Sequence, residues 1–215
     1  MTRNELIDLL KVRPISKSSC FSDDGDQPRP GPNDNLTRAS VLIPVINRGH
    51  GSTVLFTQRT AHLNDHAGQI SFPGGRAEES DADAAFTALR EAEEEVGLAR
   101  SHVEVLGRIP EYRTGTGFLV TPVVGWVETP GTFTPDPFEV AEVFEVPLRF
   151  LMDPANHRVE TAFVRDTLRT YYALSFEGRY IWGATAGMLV SLYRVLAGAR
   201  GETIRETGEA PKDSG

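Results

Sequence analysis

The chain has 215 residues, with 30 acidic against 22 basic side chains and a formal charge of -8. That length suits one domain with extensions and leaves little room for two independent cores. A hydrophobic content of 40% excludes a wholly disordered protein, and the acidic balance argues against a nucleic-acid coat or an anionic-membrane binder, either of which needs a basic surface.

A phosphorylated substrate survives that exclusion, because a bound divalent cation reverses the local sign of the field. Cys20 has no second cysteine to pair with and lies in a polar, loop-like stretch, so it reads as a bystander thiol in a reducing compartment. No apolar run reaches the roughly 18 to 20 residues that span a bilayer, and Asn4, Glu5 and Asp8 break up any secretory apolar region. A cytoplasmic protein is expected, with neither nucleic acid nor membrane as a partner.

In chain order, Leu6, Ile7, Leu9 and Leu10 recur at helical spacing and predict a short amphipathic helix over 2–12, ended before Pro14. The Pro-, Gly- and Asp-rich stretch 22–35 reads as a linker. Two strands follow from Arg38 and from Thr53 around a turn at 47–51, and a third extended piece, 69–72, stops at Pro73-Gly74-Gly75. Ala85, Leu89, Ala92 and Val96 mark one face of a helix over 84–96, which Gly97 ends. Strand-like runs at 103–109, 119–128, 142–146 and 169–176 precede a closing helix at 182–196 and a frayed polar tail. The expected division is 1–37 as N-terminal helix and linker, 38–197 as the domain and 198–215 as the tail. Mixed strands with a central and a terminal helix point to an α/β (α+β) sandwich.

Glu91, Glu94 and Glu95 fall within a sector of about 100° on the central helix, away from the stripe of Leu89, Ala92 and Val96. A solvated acidic face is the bland explanation. Against it, like charges at i,i+3 and i,i+4 repel by roughly 0.2 to 0.5 kcal/mol per pair. Acids this late in a helix also oppose its dipole. Such a helix is built to hold a hard cation through oxygen ligands. Glu93 points to another sector and reads as solvated.

Gly75, Arg90-Glu91-Ala92, Glu94-Glu95 and Gly97-Leu98 resemble the Nudix box, G-x5-E-x7-R-E-U-x-E-E-x-G-U. The second half fits throughout. In the first half Asp81 stands for the glutamate, and the span from Gly75 to Arg90 is one residue longer. Upstream, Leu55-Phe-Thr-Gln-Arg-Thr60, Asn64, Gly68-Gln69 and Phe72-Pro-Gly-Gly75 resemble the signature of the coenzyme A pyrophosphatase branch, which tolerates the longer box with Asp; Asn64 replaces a basic residue of that signature. The likeness runs from about Arg38 to Leu196.

The resemblance implies a Nudix α/β/α sandwich with a mixed sheet and hydrolysis of the diphosphate of coenzyme A or acyl-coenzyme A. It implies Mg²⁺ or Mn²⁺ held by Glu91, Glu94, Glu95 and the Gly75 carbonyl, Glu91 as the group that orders or deprotonates water, and Arg90 pairing with a box carboxylate. Arg59, Asn64, His66, Gly68, Gln69 and Phe72 are the expected substrate contacts, and Glu139 or Glu142 the distal acid. Asp81 and Asp83 follow Ser80 at a helix start, so capping explains both. Trp182 reads as packing at the head of the last helix. The partner expected is the small-molecule substrate, and a homodimer is left open. Another nucleoside diphosphate derivative, such as ADP-ribose, is the alternative substrate. A nucleotide-sensing module without turnover is disfavoured, since such modules often lose box carboxylates and all are present here.

Overall fold

The apolar run after Arg38 has to serve two faces at once, and this decides where the other elements pack. The computed structural model describes residues 1–12, 19–22, 27–28, 34–61, 68–128, 131–164 and 167–204. The first half of the chain forms α1 (Arg3–Val12), β1 (Ser19–Ser22), β2 (Gln27–Pro28), β3 (Thr37–Asn47), β4 (Ser52–Arg59), β5 (Ile70–Ser71), β6 (Gly74–Arg76) and α2 (Ala84–Val96). After it come β7 (Val103–Arg108), β8 (Tyr112–Arg113), β9 (Phe118–Val127), β10 (Val140–Pro147) and α3 (Leu148–Leu151). The chain continues through β11 (Arg158–Val164), β12 (Thr167–Phe176), β13 (Arg179–Trp182) and α4 (Ala184–Ala199).

Along β3 the side chains alternate as the two-residue period of a strand requires: Leu42 and Ile46 enter one core, Ile43 and Val45 the other. The mixed sheet has the order β10-β4-β3-β9-β8-β1-β2, with β5 added to β4, β6 to β3 and β7 to β9. β3 and β9 run parallel over their whole shared length, from Thr37 beside Phe118 to Ile46 beside Val127. On one face, Ala88, Ala92 and Val96 of α2 pack on Leu42, Ile46, Leu55, Val123 and Val127. The opposite face is covered by α1, α3, α4 and an antiparallel sheet β11-β12-β13, through Leu6, Phe56, Phe72, Leu148, Leu174, Ile181 and Leu189. Each such side chain contributes roughly 1.5–3 kcal/mol on burial. The result is the expected α/β/α sandwich with a mixed sheet. Among the described residues, no helix is long and apolar enough to cross a membrane.

The central helix spans 84–96 as its periodicity predicts, and β7, β9, β10 and β12 lie within two residues of their expected bounds. Other expectations need correction. Cys20 is not in a polar loop: it is 1% exposed on β1, whose neighbour Phe21 pairs in parallel with Tyr112 on β8. Within the expected linker, Gln27 pairs with Cys20, while 23–26 and 29–33 lie outside the described residues. Trp182 does not pack at a helix head. It sits on β13, 41% exposed, with its ring edge-on to Tyr171 at 5.6 Å. The last helix runs on to Ala199, past the expected start of the tail, and 205–215 lie outside the described residues.

Candidate active site

Asp83 starts α2 by accepting the Phe86 N–H on Oδ1 at 2.8 Å, and Gly97 ends it at φ 68°, a left-handed turn that glycine adopts without strain. Between these caps the helix lies against β3, β6, β9 and β10. Asp81 does not share the capping role expected of it. Its carboxylate, nearly inaccessible to solvent, grips Arg90: Nε to Oδ1 and Nη2 to Oδ2 are both 3.1 Å. It also accepts from the Thr87 hydroxyl and the Glu78 N–H, each at 2.9 Å. The Arg90 guanidinium and the Glu78 N–H hold the Asp81 carboxyl well below the usual range, while Asp81 pushes Arg90 above its own. A fork held on a carboxylate in this way has one orientation. Arg90 uses it to reach the Arg76 carbonyl with Nη2 at 3.1 Å and to place Nη1 between Glu94 at 3.0 Å and Glu91 at 2.9 Å.

Glu95, one turn beyond Glu91, is 7% exposed. Burial, then the charges of Glu91 and Glu139, pushes it up to about 8, against the opposing pull of Arg59 and the Gly74 N–H. Burial raises Glu91 too, with Arg90 opposing and Glu94 and Glu139 adding to the rise. Gly75 is required by close approach: a Cβ there would lie 2.5 Å from the Glu91 carboxylate. Glu94 is the most exposed of the three and is turned to Arg90.

The two candidate distal acids separate on geometry. Glu142 shares the strand face of Phe144 and Val146, on the side of the sheet away from α2, and is ion-paired to Arg179, whose guanidinium lies over the Phe144 ring at 4.4 Å. It is therefore not part of the acidic cluster. Glu139 precedes β10 in a turn tied to the end of β4, where its carbonyl accepts the Thr60 N–H at 3.0 Å, and its charge reaches both Glu91 and Glu95.

Arg59 shares the α2 side of β4 with Leu55, and its charge reaches Glu95. Its Nε is buried without a hydrogen-bond partner, which in a native fold calls for a ligand or another explanation. The Arg59 N–H donates to the Gln69 carbonyl at 2.9 Å, and the exposed Gly68 offers its carbonyl to Gln58 at 3.3 Å, so both loop residues lie beside β4. Asn64 and His66 lie outside the described residues. Phe72 is a correction: it is 2% exposed and stacks on Phe56 at 5.0 Å, so its ring fills the core and cannot touch a ligand in this conformation. The resemblance called for Arg90 to pair with a box carboxylate, and it does so with Glu91, Glu94 and Asp81, the residue at the box's first glutamate position, whose grip on Arg90 takes the place of the capping role expected of it.

A groove of about 450 Å³, lined by Met152, Asp153, Tyr193, Leu196 and Arg200 among others, shares no residue with this cluster.

The sequence model of the NUDIX domain matches residues 36–166. The chain belongs to the Nudix family. It is 39% identical over 158 residues to the uncharacterized Nudix hydrolase NudL of Escherichia coli strain K12, covering 74% of this chain and 82% of that protein. The NudL of Yersinia enterocolitica is 40% identical over 164 residues, 76% of this chain and 84% of the relative. Among solved structures, the Nudix hydrolase RenU of M. smegmatis aligns over 62% of this chain and 81% of its own, with 21% identity and a TM-score of 0.45. This Nudix protein is accordingly a hydrolase of nucleoside diphosphate derivatives.

Nudix enzymes generally use divalent metal ions. Among the described residues, no three acid, histidine or cysteine side chains converge into a ready-made metal cage. The donor chemistry nevertheless fits a hard cation. Glu91 and Glu95 are oxygen donors whose mutual repulsion a cation relieves, and Gly75, lacking a Cβ, lets the Glu91 carboxylate lie against its backbone. Glu94 joins the set only by turning from Arg90.

Proposed function

We propose that this Nudix hydrolase cleaves the diphosphate bond of coenzyme A or an acyl derivative, releasing 4'-phosphopantetheine, or its acyl form, and adenosine 3',5'-bisphosphate. The observation that carries this reading is the run from Leu55 to Gly75, with its Thr57-Gln58-Arg59, Gly68-Gln69 and Phe72-Pro73-Gly74-Gly75, joined to the longer box with Asp81. The clamp of Asp81 on Arg90 supports it, because the extra residue falls between these two, nine positions apart instead of eight, and the Asp81 carboxylate still closes on the Arg90 guanidinium.

Mg²⁺ or Mn²⁺, held by Glu91, Glu94, Glu95 and the Gly75 carbonyl, supplies charge neutralisation at the diphosphate and lowers the pKa of bound water. The chain's own residues do the rest. Arg90 fixes the Glu91 rotamer, and Glu91 takes the proton from the attacking water as its oxygen bonds to phosphorus and the bridging P–O bond breaks. The phosphate released on the far side leaves as a second monoester. The unpaired Nε of Arg59 donates to a diphosphate oxygen, which neutralises charge that an acidic protein would otherwise repel. Gly68 and Gln69 border the substrate, and Glu139 is the distal acid.

The test is hydrolysis of coenzyme A and ADP-ribose side by side, with products identified. The expected result is a higher kcat/KM for coenzyme A, no turnover after exhaustive chelation, and loss of turnover in Glu94→Gln and Glu95→Gln with the fold intact. A large excess of kcat/KM for ADP-ribose overturns the substrate assignment, and full activity without metal overturns the mechanism.

A further inference from the structure

The loop at 131–139 is fastened to the end of α2. Thr134 N–H donates to the Val96 carbonyl and Asp136 N–H to the Glu95 carbonyl, both at 2.9 Å, and Phe133 packs into the α2 core. The turn that follows is saturated with hydrogen bonds. Asp136 Oδ1 accepts the Phe138 N–H at 2.8 Å, and the Asp136 carbonyl accepts from Glu139 at 3.1 Å and Val140 at 2.8 Å. From the other side, Thr60 donates its N–H to the Glu139 carbonyl at 3.0 Å and its hydroxyl to the Phe138 carbonyl at 2.9 Å.

In this braced turn the Phe138 side chain is 74% exposed. A large apolar ring left in water is unfavourable, and a rigid backbone prevents it from folding away. Its neighbours locate it. Glu139 follows directly and acts on Glu91 and Glu95, and Thr60, which holds the Phe138 carbonyl, follows Arg59. The Phe138 backbone therefore adjoins the acidic cluster, beside the groups proposed to hold the diphosphate, and its ring is open to solvent there. A nucleoside diphosphate derivative held there carries a planar base outward from its phosphates, and a pre-ordered aromatic ring binds such a face at little entropic cost.

We propose that Phe138 is the stacking platform for the nucleobase of the substrate. The proposal rests on the reading of the acidic cluster as the diphosphate site. It assigns base recognition to the turn between β9 and β10, a segment outside the box.

The experiment measures binding by calorimetry of ADP and of inorganic pyrophosphate to the full chain with Mg²⁺, alongside steady-state kinetics on coenzyme A. Base–aromatic stacking predicts that Phe138→Ala weakens ADP binding roughly tenfold or more and leaves pyrophosphate binding unchanged, while Phe138→Trp retains ADP binding. In the kinetics, KM rises with kcat little changed. ADP binding unaltered in Phe138→Ala, or no ADP binding by the parent chain, overturns the proposal. So does an equal loss of pyrophosphate binding, which reports a collapsed turn, or a change from dimer to monomer in sedimentation, which reports an interface. Turnover on coenzyme A tests the proposed function separately: an inactive parent that binds ADP through Phe138 sinks that function alone.

Discussion

Asp81→Asn removes one charge, keeps the shape of the side chain and leaves Arg90 in place. Breaking a buried ion pair by removing one partner costs about 3–5 kcal/mol. Arg90 still has Glu91 and Glu94 on Nη1 and keeps 11% of its side-chain surface in solvent, which lowers the expected loss to about 2–3 kcal/mol. For a domain of this size that is a fall in Tm of roughly 4–12 °C. The pH dependence identifies the cause. The folded-state pKa of Asp81 lies below its unfolded value, so its contribution is fully present above the unfolded pKa and is lost as pH falls toward the folded one. Thermal melts of parent and variant should therefore differ by a constant amount between about pH 5 and pH 8, and the gap should begin to narrow below about pH 4. A released guanidinium also draws Glu94 and Glu91 away from a cation, so half-maximal activity should need more Mg²⁺. A variant that melts within about 1 °C of the parent at pH 7, or a gap unchanged at pH 3, refutes the clamp.

Other outcomes test the rest of the site. Glu95 has a folded pKa above its unfolded one, so the folded metal-free chain holds a proton that the unfolded chain releases; stability should fall as pH rises from about 4.5 to about 8 and then level off. Glu95→Gln should flatten that slope in melts under chelator, and an unaltered slope rejects the assignment. Glu139→Gln should lower kcat by about a hundredfold, the size of a lost acid–base group, whereas Glu142→Gln should change it less than about twofold. Equal effects contradict the placement of Glu139 beside the acidic cluster and of Glu142 away from it. Gly75→Ala should remove turnover with a near-parental melt, because the added methyl strikes the Glu91 carboxylate; retained kcat counts against the cradle. Leu6→Ala should cost about 2–5 kcal/mol in urea unfolding, as expected for a fully buried leucine, and a loss below about 0.5 kcal/mol would separate α1 from the core.

What could be read from the sequence was whatever local periodicity controls. α2 declares itself through its apolar stripe, its Asp83 cap and its glycine stop, and the long core strands through their two-residue alternation. Elements shaped by distant partners were hidden. β11, with Arg158, Glu160 and Thr161 among its residues, lacks an apolar stripe because most of it faces solvent, and only its partner β12 makes it a strand. Cys20 reads as polar-loop chemistry until β8 supplies its neighbour. Phe72 and Trp182 exchange expected roles for the same reason: burial is decided by the stack on Phe56 in one case and by a strand edge in the other. At the site, residue types were legible and pairings were not. That Asp81 grips Arg90 while Asp83 caps depends on where the turn at 78–81 points, and that Glu139 rather than Glu142 meets the cluster depends on the turn before β10 for one and on the face of β10 for the other.

The packing of α1 against α4 joins the two ends of the described chain. Leu6 and Leu196 belong to one core, at opposite extremes of the sequence. A fragment cut to 36–166 would thus keep only α3 and β11 on one face of the sheet, losing Leu6 together with Leu189 and Leu192 of the last helix. Such a piece holds every box carboxylate and still lacks most of the layer that keeps the sheet out of water. Completion of the fold must also wait for α4 to be synthesised, because the first helix has no finished surface to close on until the last one arrives.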